Sequence, residues 1–251
     1  MKVINFVLLL LFTINVNAGI IRFNIHELKV DSVVQTKLIY SKIRSDKKIV
    51  NVFLELNSDT TSFIRVICEL PSGISDSNFG EKGLVRIKVA QIDESHFSSA
   101  LLFQNDKLLI GIGKNVGMMK SICFFTLLNQ NGNIDSSFKR KEMTLSSTKN
   151  IVFSTYGRNH FILGLQSFAA DHDVGLICFD LNGNLDSTFE NNGLFSCDID
   201  NSEDVIDSIY FISRKKLLVL GHSYDMSGNI FYFELLICND NNKGKRIIYN
   251  R

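Results

Sequence analysis

The segment Gly183-Asn-Leu-Asp-Ser-Thr-Phe189 decides the fold, because the chain contains two further copies of the same pattern. The copies are Gly73-Ile-Ser-Asp-Ser-Asn-Phe79 and Gly132-Asn-Ile-Asp-Ser-Ser-Phe138, so the pattern recurs after 59 and then 51 positions. Self-similarity at a period of this length is typical of repeat proteins, in which each repeat is one small structural unit. The sequence is therefore predicted to fold as a series of similar units.

Each residue type in this pattern has a mechanical role in a turn. Glycine permits a positive φ, and the Asp carboxylate can accept backbone amides two residues further along the chain. The closing Phe is predicted to anchor the turn between two sheets. The predicted structural repeat motif consists of Gly73, Asp76, Phe79, Gly132, Asp135, Phe138, Gly183, Asp186 and Phe189.

A second shared feature is a short apolar run that follows a polar turn. Its length and continuous apolarity favour a strand that is buried on both faces over a helix. Further strand-like segments follow each run, so each repeat is predicted to contain three or four short strands. The apolar runs are residues 48–52, 107–111, 160–164 and 216–221.

Repeats of roughly 50 to 65 residues, each a small antiparallel sheet, predict an all-β fold: a β-propeller-like array of about four blades. A single blade cannot bury both of its faces, so it must pack against its neighbours. A solenoid and a β-sandwich are the alternative architectures. Ring closure would need either pairing of residues 246–249 with residues 19–25, or a homodimer in which two chains complete a larger ring.

The Leu/Ile-Asp-Ser-Ser/Thr-Phe turns, with Asn-Gly-Asn before them and a Gly after them, resemble the delta-60 repeat family. The resemblance extends over residues 19–244 and is clearest at residues 183–193. The pattern is weaker elsewhere, because Ser75 replaces the apolar residue before the first motif Asp and Glu142 stands in place of a later Gly. The resemblance implies a propeller-forming, exported bacterial protein, and it implies no particular chemistry.

The first 18 residues have the pattern of a secretory signal peptide. Lys2 supplies the positive charge, an apolar run is centred on residues 7–12, and Val16-Asn17-Ala18 fits a signal peptidase site. The apolar run is too short for a membrane span. We therefore expect a signal peptide at residues 1–18 and a single repeat domain at residues 19–251, without a membrane span after cleavage. Export would end in the periplasm or outside the cell.

Composition and motifs exclude several classes of function. The formal net charge is +1, whereas a nucleic-acid-binding surface needs an excess of basic residues. The sequence contains no P-loop, dinucleotide-binding or G-x-S-x-G pattern, and no Cys/His spacing that fits a structural zinc site. The five cysteines are an odd number for an exported protein, and we interpret them as small buried apolar residues.

Two polar clusters are weak candidates for chemistry. His172 lies between two aspartates, whose carboxylates would orient it as a catalytic base. Asp198, Asp200 and Glu203 offer the oxygen ligands that calcium prefers, in a spacing that is not that of an EF-hand. A polar hairpin tip and a solvated turn would have the same compositions without a function. No cofactor other than calcium is indicated.

The sequence favours an exported β-propeller scaffold for protein interaction or ligand binding, because repeats are evident and a catalytic constellation is not. The partner is then an unknown protein or small ligand, and not a nucleic acid. The alternative is a propeller-fold enzyme, a hydrolase or lyase with its site at the mouth of the central channel. An exposed apolar or aromatic patch would favour the scaffold, whereas converging polar side chains from several blades would favour the enzyme.

Overall fold

A computed structural model describes residues 33–57, 61–89, 96–116, 120–139, 142–146, 148, 150–156, 160–166, 174–190, 192–199, 203–213, 216–224, 227, 229–240 and 243–250. The predicted signal peptide, the predicted strand at residues 19–25, His172 and Asp200 lie outside these residues. The described elements are all strands, joined by turns. No helix in the described part of the chain is long and apolar enough to cross a membrane.

The described strands form four antiparallel sheets of four strands, and within each sheet the strands follow one another in chain order. Sheet 1 contains β1 (Val33–Ile43), β2 (Ile49–Asn57), β3 (Ser62–Glu69) and β4 (Leu84–Val89). Sheet 2 contains β5 (His96–Leu102), β6 (Leu108–Asn115), β7 (Lys120–Leu128) and β8 (Glu142–Ser146). Sheet 3 contains β9 (Ile151–Tyr156), β10 (His160–Gln166), β11 (Val174–Asp180) and β12 (Leu194–Cys197). Sheet 4 contains β13 (Glu203–Ser213), β14 (Lys216–Tyr224), β15 (Ile230–Asp240) and β16 (Lys243–Asn250).

The burial of each strand follows from its sequence and its place in the array. β3 alternates between buried and half-buried residues, because successive side chains of a strand point to opposite faces. β6 and β10 are buried almost continuously, because their sheets are covered on both faces. The predicted apolar runs therefore fall in the second strands, and in sheets 2 and 3 these strands are buried on both faces as expected.

Apolar side chains between consecutive sheets form three clusters, so the core is divided into layers. The first layer joins sheets 1 and 2, the second joins sheets 2 and 3, and the third joins sheets 3 and 4. In the middle layer, the rings of Phe161 and Phe179 stack with centroids 5.0 Å apart. Burial of such rings is a large favourable contribution, because each removes an extensive apolar surface from water.

The sheets pack on one another in chain order. The first strands make contacts from sheet to sheet, β1 with β5, β5 with β9 and β9 with β13. This is the arrangement of consecutive propeller blades, and the predicted all-β, propeller-like array of about four small antiparallel sheets is confirmed.

Four of the five cysteines have described side chains, and these four thiols are buried and form no disulfide with one another. Burial raises the pKa of the Cys123 and Cys178 thiols, so both remain protonated at neutral pH. A protonated, buried thiol is a poor nucleophile and a poor metal ligand. The described cysteines thus act as small apolar core residues, as predicted.

Candidate interaction surface

The three motif turns connect the third and fourth strands of sheets 1, 2 and 3. In each turn the Asp carboxylate accepts the backbone amide two residues further on, which is the predicted Asx-type turn. The closing Phe of each motif is buried in the layer that follows its sheet. The amide donors are Asn78, Ser137 and Thr188, with N···O distances of 3.1, 3.0 and 3.0 Å.

Each motif Asp also contacts a basic side chain at the start of the second strand of its own sheet. The ammonium group of Lys107 lies 2.7 Å from the Asp135 carboxylate, and this contact, together with hydrogen bonds from the amide and hydroxyl of Ser137, lowers the pKa of that carboxyl from 3.8 to about 2. The corresponding contacts are Lys48 to Asp76 at 2.9 Å and His160 to Asp186 at 3.5 Å. The motif carboxylates are thus held by contacts within their own repeats.

Backbone hydrogen bonds tie one motif turn to the next. The amide of Gly80 donates to the carbonyl of Asn131 over 2.8 Å, and the amide of Lys139 donates to the carbonyl of Asn182 over 2.8 Å. In both cases the donor follows the motif Phe and the acceptor precedes the motif Gly of the next repeat. Sequence reasoning did not foresee this contact, although the recurring Asn-Gly pair was a signal for it.

Next to the predicted calcium residues, Asp204 has a structural role. The buried carboxylate of Asp204 accepts the amide of Ile199 at 2.9 Å and the hydroxyl of Ser223 at 2.7 Å, which fixes the connection from β12 to β13. Asp198 is exposed, and the side chains of Asp200 and Glu203 lie outside the described residues. Among the residues that the structure describes, no group of three His, Cys, Asp or Glu side chains is placed to hold a metal ion. The calcium and His172 hypotheses stay predictions.

Exposed aromatic and aliphatic side chains are concentrated on sheet 4. Tyr210 is 52% exposed, Tyr224 37%, Ile230 50% and Tyr232 64%. The strand register places these residues on one face: Tyr210 lies opposite Leu218, Tyr224 opposite Ile230, and Tyr232 opposite His222. We call this the sheet 4 outer face, and its described side chains include Val205, Ser208, Tyr210, Lys216, Leu218, Leu220, His222, Tyr224, Ile230, Tyr232, Glu234 and Leu236.

The alternation along β14 shows why this face is open. Leu217 and Val219 point to the other side of sheet 4 and are buried in the layer shared with sheet 3. Leu218 and Leu220 point outward and are only half-buried. In sheets 1, 2 and 3, the face directed toward the following sheet is buried in a core layer. The sheet 4 outer face corresponds to these covered faces of sheets 1, 2 and 3, but no fifth sheet covers it among the described strands.

A short chain of hydrogen bonds orients two side chains of the sheet 4 outer face. The imidazole of His222 lies 2.9 Å from the Asp207 carboxylate through Nδ1 and 3.0 Å from the Tyr224 hydroxyl through Nε2. The His222 and Tyr224 rings pack edge to face with centroids 5.1 Å apart. Side chains held in place in this way lose little further entropy on binding, so the face is preorganised for a partner.

The opposite end of the array has a face of different chemistry. On sheet 1, the Glu55 carboxylate is almost fully buried and lies 2.8 Å from Arg65 and 3.2 Å from Arg86. The Arg86 guanidinium lies 3.8 Å from the centroid of the Phe63 ring, and that of Arg65 lies 4.9 Å from the centroid of Phe53. Together with Leu38, Ile43 and Lys88, which are exposed, these residues define the sheet 1 outer face.

The fold and these faces define a class: an all-β, propeller-like repeat protein whose two end sheets differ in chemistry. No family model matches the chain, so the resemblance to the delta-60 repeat family is not confirmed. No curated protein matches it either. Among solved structures, a levansucrase mutant from B. megaterium aligns with a TM-score of 0.44 and 10% identity over 86% of this chain and 68% of the levansucrase chain. A similarity this low supports no functional argument.

Proposed function

We propose that this chain is an exported propeller-like scaffold that binds another protein, and that the sheet 4 outer face is its binding surface. The observation that carries the proposal is the exposure of Tyr210, Tyr224 and Tyr232 on the face that the preceding sheets bury. Tyrosine is enriched at protein interfaces because it combines a large apolar ring with a hydrogen-bonding hydroxyl.

The shape of the surface favours a protein partner over a small ligand. The exposed residues are spread over three neighbouring strands, with Tyr210 on β13, Tyr224 on β14 and Tyr232 on β15. Small-molecule sites are concave and enclose most of their ligand, whereas protein partners cover broad faces of this kind. Export is supported by the signal-peptide pattern of residues 1–18 and is part of the proposal.

Photo-cross-linking in cells that express the full chain tests this function. A photoreactive p-benzoylphenylalanine placed at Tyr232 should give a covalent adduct of defined mass. The matched control is the same residue at Phe231, which is 51% exposed and points to the opposite face of β15. Equal adducts from both positions, or no adduct from Tyr232, would contradict the proposed binding surface.

A further inference from the structure

Both ends of the sheet array present a face to which no other described sheet is packed. The extensive contacts between sheets join sheet 1 to sheet 2, sheet 2 to sheet 3 and sheet 3 to sheet 4. Among the described strands, no contact of this extent joins sheet 4 to sheet 1. The array therefore has two distinct ends, the sheet 4 outer face and the sheet 1 outer face.

The order of the repeats indicates which kind of surface fits the sheet 4 outer face. Within the chain, each sheet has a forward-directed face, turned toward the following sheet, and a backward-directed face, turned toward the preceding sheet. The forward-directed face of one sheet always packs on the backward-directed face of the next. The sheet 1 outer face is the one backward-directed face that has no sheet packed on it among the described strands. A second copy of the chain supplies that face, and the contact would continue the stacking already present within each chain.

The two outer faces also carry groups of opposite charge. The sheet 4 outer face carries Glu234, with the 48% exposed carboxylate of Asp207 beside it, and the exposed Lys216 at the start of β14. The sheet 1 outer face carries the exposed Lys88 and the guanidinium of Arg86, which is 40% exposed. Exposed apolar groups lie on both faces, Tyr232 on sheet 4 and Ile43 on sheet 1. Opposite charges around an apolar contact set the register and disfavour pairing of two identical faces.

We propose that the partner of the sheet 4 outer face is the sheet 1 outer face of a second copy of the chain. This inference rests on the proposed function and specifies the partner. If both ends of both chains engage, the two chains form a closed ring of eight sheets, which is within the range of about 4 to 8 blades found in propellers. Closure makes the dimer finite, since a head-to-tail contact that did not close would grow into a filament.

The size of the faces is sufficient for a stable dimer. With strands about 4.8 Å apart and a rise of about 3.3 Å per residue, a four-stranded sheet face of roughly six residues covers roughly 400 Å². The closed dimer has two contacts with two faces each, and thus buries about 1,600 Å², the standard size of a specific interface. An open pair held by one contact would bury about 800 Å² and would be weaker, so closure adds to the stability of the dimer.

A mixing experiment on the purified full chain tests the inference by sedimentation equilibrium. Tyr232→Asp damages the sheet 4 outer face, and Arg86→Glu damages the sheet 1 outer face. We expect each variant alone to dissociate at least about tenfold more readily than the wild type, because every contact in its dimer has one altered face. An equimolar mixture should recover two-chain species, because one contact then joins two unaltered faces.

The matched controls change the same sheets on their other faces. Phe231→Asp alters the opposite face of β15, and Lys37→Glu alters the side of β1 that lies opposite Leu54. Both should leave the dissociation constant unchanged. The urea midpoint of each variant, measured at the lowest chain concentration, shows that the variant is folded.

The outcomes separate this inference from the proposed function. A wild-type chain that stays single at all concentrations would overturn the inference, and so would dissociation caused by Tyr232→Asp but not by Arg86→Glu. An adduct from Tyr232 whose mass includes a different protein would also overturn it, while the proposed function would stand. Loss of dimers in both variants with recovery in the mixture supports the head-to-tail dimer.

Discussion

At the residue scale, the side chains of the repeat motif have different structural roles. The Asp caps its own turn and is held by a basic side chain, whereas the Phe fills the layer between two sheets. Phe138 is 1% exposed, so its ring is fully removed from water. The motif recurs in the three sheets that are followed by another sheet, because each of the three core layers contains one such Phe.

Replacement of the buried motif Phe should be costly. Phe138→Ala is expected to lower the free energy of unfolding by about 3 to 5 kcal/mol, through lost burial and the cavity that remains. Phe231→Ala is the matched control, because that ring is 51% exposed, and it should change stability by less than about 0.5 kcal/mol. Urea unfolding measures both values, and equal losses would contradict the anchoring role.

Asp135 makes the stability depend on pH in a definite direction. Its folded-state pKa of about 2 is below the ordinary value of 3.8, so the carboxylate stabilises the fold above about pH 4. This contribution is lost as the pH falls through about 2, when the folded state is protonated as well. Asp135→Asn should cost about 1 kcal/mol at pH 7, and the deficit relative to the wild type should shrink toward pH 2. A deficit that does not vary with pH would contradict the Lys107–Asp135 account.

At the element scale, the motif turns act as connectors between sheets as well as links between strands. The bond from the Gly80 amide to the Asn131 carbonyl requires the second motif turn to approach the first closely. A Cβ at Gly132 would lie 2.9 Å from the Gly80 nitrogen and 3.0 Å from the Phe79 ring. Gly132 therefore serves both the positive φ of its own turn and the contact between two repeats.

A pair of glycine substitutions separates these two roles. Gly73 and Gly132 have the same φ of +81°, but nothing lies within 4 Å of a Cβ at Gly73. Gly73→Ala should therefore cost only the left-handed backbone strain, about 1 to 2 kcal/mol. Gly132→Ala should cost roughly 1 to 3 kcal/mol more, because the neighbouring turn must shift. Equal losses in urea unfolding would show that the contact between repeats contributes nothing.

At the scale of the whole molecule, the sequence predicts the number and order of the sheets better than it predicts their exposed faces. The spacing of the motifs defines the first three repeats, and the apolar run at residues 216–221 marks the fourth. The open face could not be predicted, because Tyr224 and Tyr232 alternate like residues of any strand that has one covered face. Whether these residues are covered depends on the packing of a whole neighbouring sheet, and no local pattern in the sequence encodes that packing.

The charged network of sheet 1 could not be predicted from the sequence for a similar reason. Glu55, Arg65 and Arg86 lie on three different strands, and only the register of the sheet brings them together. By contrast, the lysine or histidine beside each motif Asp recurs at a constant place before the second strand. That recurrence was visible in the sequence, and the pairing could have been inferred from it.

The urea midpoint of the wild-type chain as a function of chain concentration tests the central claim, that the sheet 4 outer face binds a partner face. Association through this face stabilises the folded state by mass action, so the midpoint should rise with concentration in the wild type. It should stay constant in the Tyr232→Asp variant, with the value that the wild type has at high dilution. A wild-type midpoint that does not depend on concentration would contradict association with a second copy of the chain. If the variant then also had a lower midpoint at high dilution, Tyr232 would stabilise the single chain.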